Sequence, residues 1–284
     1  VTSAHPPARA VQRTSLVPPQ HGAWAFLGLP LALGFVVADP SWAWLPLAWA
    51  WVAAYPASYF VLSYVRARRP ERFRRPLAIW AAAFAPAGLV AVAMRPWLLW
   101  VAALYLLSFA VNLAYARRNR ERDLVNDAVF VAQCSAMVVV TALVGDDPDS
   151  SMPGSLLDAV STRTWLLALV CALVLLGSTL HVKSLLRERR DPRYATASRA
   201  YAVACAIGSP ALALAWGLPA GWLLVAPFVV LAARALRKDW SGMRPGAIGM
   251  VELACFLVAL AAALLAVAGG GHASVAAGRH AAPR

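Results

Sequence analysis

In a chain built mostly of Ala, Leu, Val and Trp, few side chains can do polar chemistry. The candidates are Gln20, His21, Asn112, Asn126, Asp127, His181 and Glu252, with Arg66 and Arg187 in basic stretches nearby. A histidine such as His181 changes charge near neutral pH and can carry a proton or donate to an anion. The same residue in an apolar helix also serves as an interhelical hydrogen bond. Glu252 stands alone in an apolar run. It can pair with His181 or an arginine at a cavity mouth, or be a snorkelling or protonated acid with a structural partner. Asn126-Asp127 reads either as part of a site or as a helix cap with an acid in the first turn. Gln20-His21-Gly22-Ala23-Trp24 joins two polar residues to a glycine suited to close packing and an interfacial tryptophan, so it is either site-forming or an entry anchor.

The elements that must position these residues follow from composition. The 284 residues are 61% hydrophobic and 14% charged, with mean hydropathy +0.63. Soluble domains carry about 25% charged residues. This excludes a soluble enzyme, a disordered chain and a disulfide-stapled module. Nine apolar runs approach the ~20 residues that a membrane-spanning helix needs: Gly22–Ala38, Trp42–Tyr64, Leu77–Met94, Trp97–Tyr115, Val125–Val144, Trp165–Leu186, Ala200–Gly217, Gly221–Leu236 and Ala247–Ala268. Each is expected to be a helix, because lipid offers nothing to an open sheet edge. Pro30, Pro46, Pro56, Pro86, Pro210 and Pro227 fall inside runs and are expected to kink the helices without ending them. The fold class is therefore an all-α, polytopic transmembrane bundle. Residues 20–268 form the membrane domain, and tails at 1–19 and 269–284 are expected to be disordered.

Every Lys and Arg except Arg95, Arg163, Arg279 and Arg284 falls on one side of this layout, in the N-terminal tail, the alternate loops or the helix ends beside them. Positive residues stay inside. The expectation is a multi-pass protein of the bacterial cytoplasmic membrane, N-terminus inside, C-terminus outside, with the acidic loop Gly145–Ser161 external. The first run is read as a retained anchor. Net charge is +13, but helix insertion accounts for it, and nucleic acid is not an expected partner; membrane lipids are. Cys134, Cys171, Cys205 and Cys255 lie within runs and form no C-x-x-C pair, so they read as small buried residues; no metal or cofactor site is read.

Polar side chains gather in the cytoplasmic halves of the runs, while the outer halves hold little besides Ala, Leu, Val, Pro and Trp. Asn126 and Gln133, seven apart, share a helix face; so do Ser178, His181 and Glu188, and Asn112, Tyr115 and Asn119. Polar groups in lipid are costly and face a bundle interior. One cytoplasm-facing cavity is expected, with His181 near its centre and Arg66 and Arg187 on its rim. The stretch Arg66-Ala-Arg68-Arg69-Pro70-Glu71-Arg72 after the second run is echoed by Arg187-Glu188-Arg189-Arg190-Asp191-Pro192-Arg193 after the sixth. This suggests two four-helix halves plus a ninth helix, unless the echo is only a shared basic composition.

Several of these residues carry a resemblance. Pro19-Gln20-His21-Gly22-Ala23-Trp24, Arg74-Arg75-Pro76-Leu77, Asn126-Asp127 and His181-Val182-Lys183 with Arg187-Glu188-Arg189 resemble the YwiC-like family of bacterial membrane proteins, over roughly residues 17–268. That resemblance implies no activity. The layout is also similar to the UbiA superfamily of membrane prenyltransferases, which implies nine helices, an inside N-terminus and working loops after helices 2 and 6. Those enzymes hold Mg²⁺ and a prenyl diphosphate on Asp-rich motifs. Here Tyr59–Arg69 contains no carboxylate, and after the sixth run only Glu188 and Asp191 stand among arginines. Magnesium needs oxygen ligands, so the usual Mg²⁺-dependent transfer is not expected.

Three functions remain open at this stage. The cavity can bind or transport a small anionic or amphipathic ligand. The protein can be an enzyme acting on a lipid or isoprenoid diphosphate held directly by arginines, which grip phosphate bidentately. Or it can be an assembly partner of another membrane complex, with no ligand.

Overall fold

A computed structural model describes residues 15–19, 22–120, 123–146, 152–237, 240 and 243–280, without side chains for 270–280. The described residues form ten α-helices: α1 (Ala23–Val37), α2 (Trp44–Arg66), α3 (Glu71–Met94), α4 (Leu98–Arg117), α5 (Leu124–Asp146), α6 (Pro153–Asp158), α7 (Thr162–Val182), α8 (Pro192–Trp216), α9 (Ala226–Leu236) and α10 (Pro245–His280). A π-helical turn, Lys183–Arg187, extends α7, and a 3₁₀ segment, Ala220–Val225, leads into α9. Seven of the helices are long and apolar enough to cross a membrane, and Ala23–Val37 and Ala220–Leu236 are shorter apolar helices. All nine apolar runs are thus helical. The short α6, inside the acidic loop, has no counterpart among those runs.

Local chemistry sets the ends. Ser161 caps α7 by accepting from the Thr164 N–H, and Asp191 caps α8, with Pro192 in the first turn. Gly217, at φ 104°, ends α8 in a conformation that a side chain would strain. Pro30, Pro56, Pro86 and Pro210 lie inside continuous helices. Pro227 instead occupies the first turn of α9, where a missing N–H leaves no bond unmade, and the chain before it is 3₁₀. The eighth run is therefore two segments where one kinked helix was expected. α10 continues to His280, through residues that composition alone assigned to a tail.

Helices α1, α5, α7 and α10 pack together at the centre, around Leu33, Val138, Leu167, Val174, Ala259 and Ala263. α2 and α3 form a packed hairpin, and α8 and α9 lie against α7 and α10. α3 and α4 are peripheral, with Leu89, Leu104 and Leu107 about 60–70% exposed, the pattern of a surface turned to lipid.

One end of the bundle is stitched by neutral donors. The Trp44 indole donates to the Thr141 carbonyl at 3.0 Å, Trp216 to Ala266 at 3.4 Å, and the Asp39 N–H to the Asp146 carboxylate at 3.3 Å. Arg95 Nε reaches the Val144 carbonyl, and the Arg163 guanidinium lies over the Trp216 ring. Arg66, Lys183, Arg187, Arg234 and Arg237 all occupy the other end, so successive apolar helices run in alternating directions.

The tightest seam joins α1 to α5. A Cβ on Gly34 would lie 2.5 Å from the Thr141 Cβ and 2.9 Å from the Val138 carbonyl oxygen. Gly28, two turns earlier, has open space where its Cβ would be. Gly34→Ala is expected to destabilise the protein by about 1–3 kcal/mol, the usual cost of overpacking. Gly28→Ala is expected to be neutral or stabilising. Thermal unfolding of the two variants in detergent checks the contrast.

Candidate functional site

The polar residues at the basic end resolve into groups arranged around α7. On one side, α4 and α5 are laced by side-chain amides. Asn112 Nδ2 donates to Asn126 Oδ1 at 2.9 Å, and Gln133 Nε2 donates to Ser108 Oγ at 2.7 Å. The Tyr105 hydroxyl donates to the Gln133 carbonyl at 2.6 Å. Asn126 and Gln133 both meet α4, as their shared helix face requires.

The next turn of α5 reaches α7. Lys183 Nζ donates to Asp127 Oδ2 at 2.5 Å, and the lysine side chain is only 2% exposed. Its ammonium also lies 5.8 Å from the Tyr194 ring centroid on α8. Just outside α5, Asp123 accepts from the Val125 N–H at 3.1 Å and from Arg120 at 2.6 Å. The backbone bond first, and then Arg120, hold its carboxyl below the usual carboxylate range. Asp123 is thus an ionised cap for α5, and Asp127 is left to the lysine.

On the other side of α7, Glu252 from α10 is buried with Arg234 from α9 in a salt bridge. Ser178 Oγ donates to the same carboxylate oxygen at 2.6 Å, and Arg234 Nη2 approaches the Gly177 carbonyl at 3.4 Å. One turn further along α7, His181 packs edge-on against Trp240, ring centroids 4.9 Å apart. His181 Nε2, Glu252 Oε1, Arg234 Nε and the Trp240 indole nitrogen are buried without a hydrogen-bond partner among the described residues. An unmade bond at a buried polar atom costs about 1–3 kcal/mol, so four in one neighbourhood mark a place where something polar can be received.

Seven of the nine residues singled out from the sequence lie among the described residues. Asn112 and Asn126 meet each other, Asp127 meets Lys183, Glu252 meets Ser178 and Arg234, and His181 meets Trp240. His181 and Glu252 share one side of α7, and Asn112 and Asn126 meet between α4 and α5. Arg66 bonds its own helix, through Nε to the Leu62 carbonyl and Nη2 to Ser63 Oγ. Arg187, with residues 186–191, lines an open hollow of about 460 Å³ beside the π turn. Gln20 and His21 lie outside the described residues. Among the described residues, no three His, Cys, Asp or Glu side chains are grouped closely enough to hold a metal ion.

Sequence reasoning missed Lys183 and Arg234 as members of the site, because each was counted with the loop charges that set orientation. The available signal was their position inside apolar runs, where a cation needs a partner.

The resemblance to the YwiC-like family is borne out. The family model described as YwiC-like protein matches residues 17–142. The chain is 28% identical to the uncharacterised protein YwiC of Bacillus subtilis (strain 168) over 249 residues, covering 87% of this chain and 96% of that one. It is also 28% identical over 257 residues to an uncharacterised protein of Haemophilus influenzae, covering 88% and 99%. No solved structure matches the chain significantly.

The Arg234–Glu252 pair supplies a direct test of the packing around α7. Glu252→Leu alone strands a buried guanidinium and is expected to cost about 3–5 kcal/mol, whereas Arg234→Met with Glu252→Leu removes both charges and recovers most of the loss. Unfolding of the single and double variants in mixed micelles reads the difference.

Proposed function

We propose that this chain is an integral membrane protein of the cytoplasmic membrane. It crosses nine times, with its N-terminus inside and C-terminus outside, and binds a small anionic or amphipathic ligand at its cytoplasmic end. The ligand site lies on the flank of α7 that carries His181, with Glu252 and Arg234; Asp127 and Lys183 form a second polar group on its other flank, and Arg187 follows on the π turn. The proposed ligand-binding set also takes in Asn112 and Asn126, with Gln20 and His21 as candidates from the sequence alone and Arg66 and Arg187 as the entrance cations. One observation carries this reading: His181, Lys183, Arg234 and Glu252 are all buried at one end of the bundle, yet His181 Nε2 and Glu252 Oε1 lack partners among the described residues. Ionisable groups inside a membrane protein mark ligand or ion paths more often than structure.

The arrangement also fits a UbiA-like layout of two halves. Each basic loop joins two helices packed on one another, α2 with α3 and α7 with α8. Where those enzymes carry Asp-rich motifs, this chain carries arginines, so a phosphate here meets guanidinium groups directly. A second reading, an assembly partner without a ligand, is favoured by the Asn112–Asn126 and Ser108–Gln133 bonds, which satisfy polar groups across one helix pair.

Two measurements test the proposal. With nine crossings, a C-terminal alkaline phosphatase fusion is active and a C-terminal green fluorescent fusion is dark; the reverse outcome removes one crossing. Native mass spectrometry of the purified full chain is expected to reveal a co-purified small molecule that His181→Gln loses. A bare chain in both proteins favours the assembly-partner reading.

A further inference from the structure

Beyond the buried cluster, α9 and α10 leave a groove between them. It is about 360 Å³ in volume and opens to the side of the bundle. Val230, Ala233, Val251, Ala254 and Val258 line it, with Arg234 and Cys255 buried at its floor. Ala233 and Ala254 are exposed, and side chains this small leave the gap between the two helices unfilled. At the basic end, Arg237 and Trp240 bound the groove, and the Arg237 guanidinium lies 5.5 Å from the Trp240 ring centroid.

We infer that this groove holds one anionic phospholipid of the inner leaflet, its acyl chain between α9 and α10 and its phosphate at Arg237. Three features converge on that occupant. The walls are apolar over about two turns of each helix, so the part of the occupant held there is hydrocarbon and not a water-soluble anion. The cations lie at one end only, at the depth of the basic loops, where a lipid phosphate sits. The charge count also matches. Glu252 neutralises Arg234, Arg237 has no anionic partner among the described residues, and a phosphodiester carries one negative charge. The indole of Trp240 adds an amphipathic ring suited to the headgroup boundary, and its N–H bonds to no described residue.

The same Arg234 that pairs with Glu252 forms part of the groove floor. A seated lipid therefore rests against the guanidinium that holds α7, α9 and α10 together, which ties occupancy of the groove to the packing of the buried cluster. The inference relies on the membrane placement proposed above and not on the identity of the small ligand.

The test uses the full chain in detergent, equilibrated with equal amounts of phosphatidylglycerol and phosphatidylcholine and read by native mass spectrometry. The wild-type chain is expected to retain phosphatidylglycerol preferentially. Arg237→Gln lowers that preference about five-fold, the loss of one arginine contact at a charged membrane surface. Ala254→Leu fills an exposed position and lowers retention of both lipids without shifting the thermal midpoint. Equal retention of the two lipids by the wild type, an unchanged preference in Arg237→Gln, or undiminished retention in Ala254→Leu each overturns the inference. If Ala254→Leu fails to fold, the Arg237→Gln comparison decides alone. The two proposals fail separately. A His181-dependent small ligand alongside equal retention of the two lipids sinks only the groove. Phosphatidylglycerol preference with no co-purified ligand sinks only the earlier reading.

Discussion

A charge taken into the interior of a membrane bundle must bring its counter-charge with it, and the basic end of this protein is built around that demand. Glu252 on α10 has no water to face, so Arg234 on α9 must lie against it, and Ser178 on α7 supplies a further bond. Lys183 is equally buried, and Asp127 on α5 answers it. Five residues separate Ser178 from Lys183, about 140° of helical rotation at 3.6 residues per turn. α7 therefore presents its two polar contacts to different neighbours. It is held by opposite charges on two flanks, which fixes both its position and its rotation. Replacing such pairs by apolar residues is often neutral or stabilising, so their retention points to specificity or chemistry more than to stability.

At the opposite end no ion pair joins two described residues, and much of the joining is done without charge. There, indole N–H groups meet carbonyl oxygens on neighbouring helices, and glycines let backbones approach. A Cβ on Gly145 would collide with the Asp39 carbonyl, and one on Gly221 with the Ala213 carbonyl. Small residues and neutral hydrogen bonds are sufficient for packing in lipid. The contrast between the ends sets the buried ion pairs on the basic side.

Much of this was legible in the sequence, because hydropathy is a one-dimensional property. Every apolar run became helical, though α8 begins eight residues early and α10 runs twelve residues on, and Asn126 and Gln133 shared a face because seven residues make nearly two full turns. Pairing was less legible, since it depends on which helices become neighbours. Glu252 could have met His181 or an arginine; it met Arg234, which spacing cannot foretell. Lys183 was noted as a polar residue of the sixth run but not as a site residue, and the π turn that begins with it has no sequence signature. The arrangement of the polar residues into groups on separate sides of α7 likewise arises from packing, not from depth.

The 3₁₀ segment before α9 has a consequence for membrane thickness. A hydrocarbon core is about 30 Å deep. The 15 residues of α1 rise only about 22 Å at 1.5 Å each, and α1 packs laterally against α5, α7 and α10. The Ala220–Leu236 segment has no such shelter, because Trp222, Val229 and Leu236 are exposed on the bundle's flank. Its first six residues are 3₁₀, rising about 2.0 Å each, and its last 11 are α-helical. Together they reach about 28 Å, a few ångströms more than 17 residues of α-helix would. Local overwinding thus lengthens a short apolar segment to nearly the thickness of a hydrocarbon core.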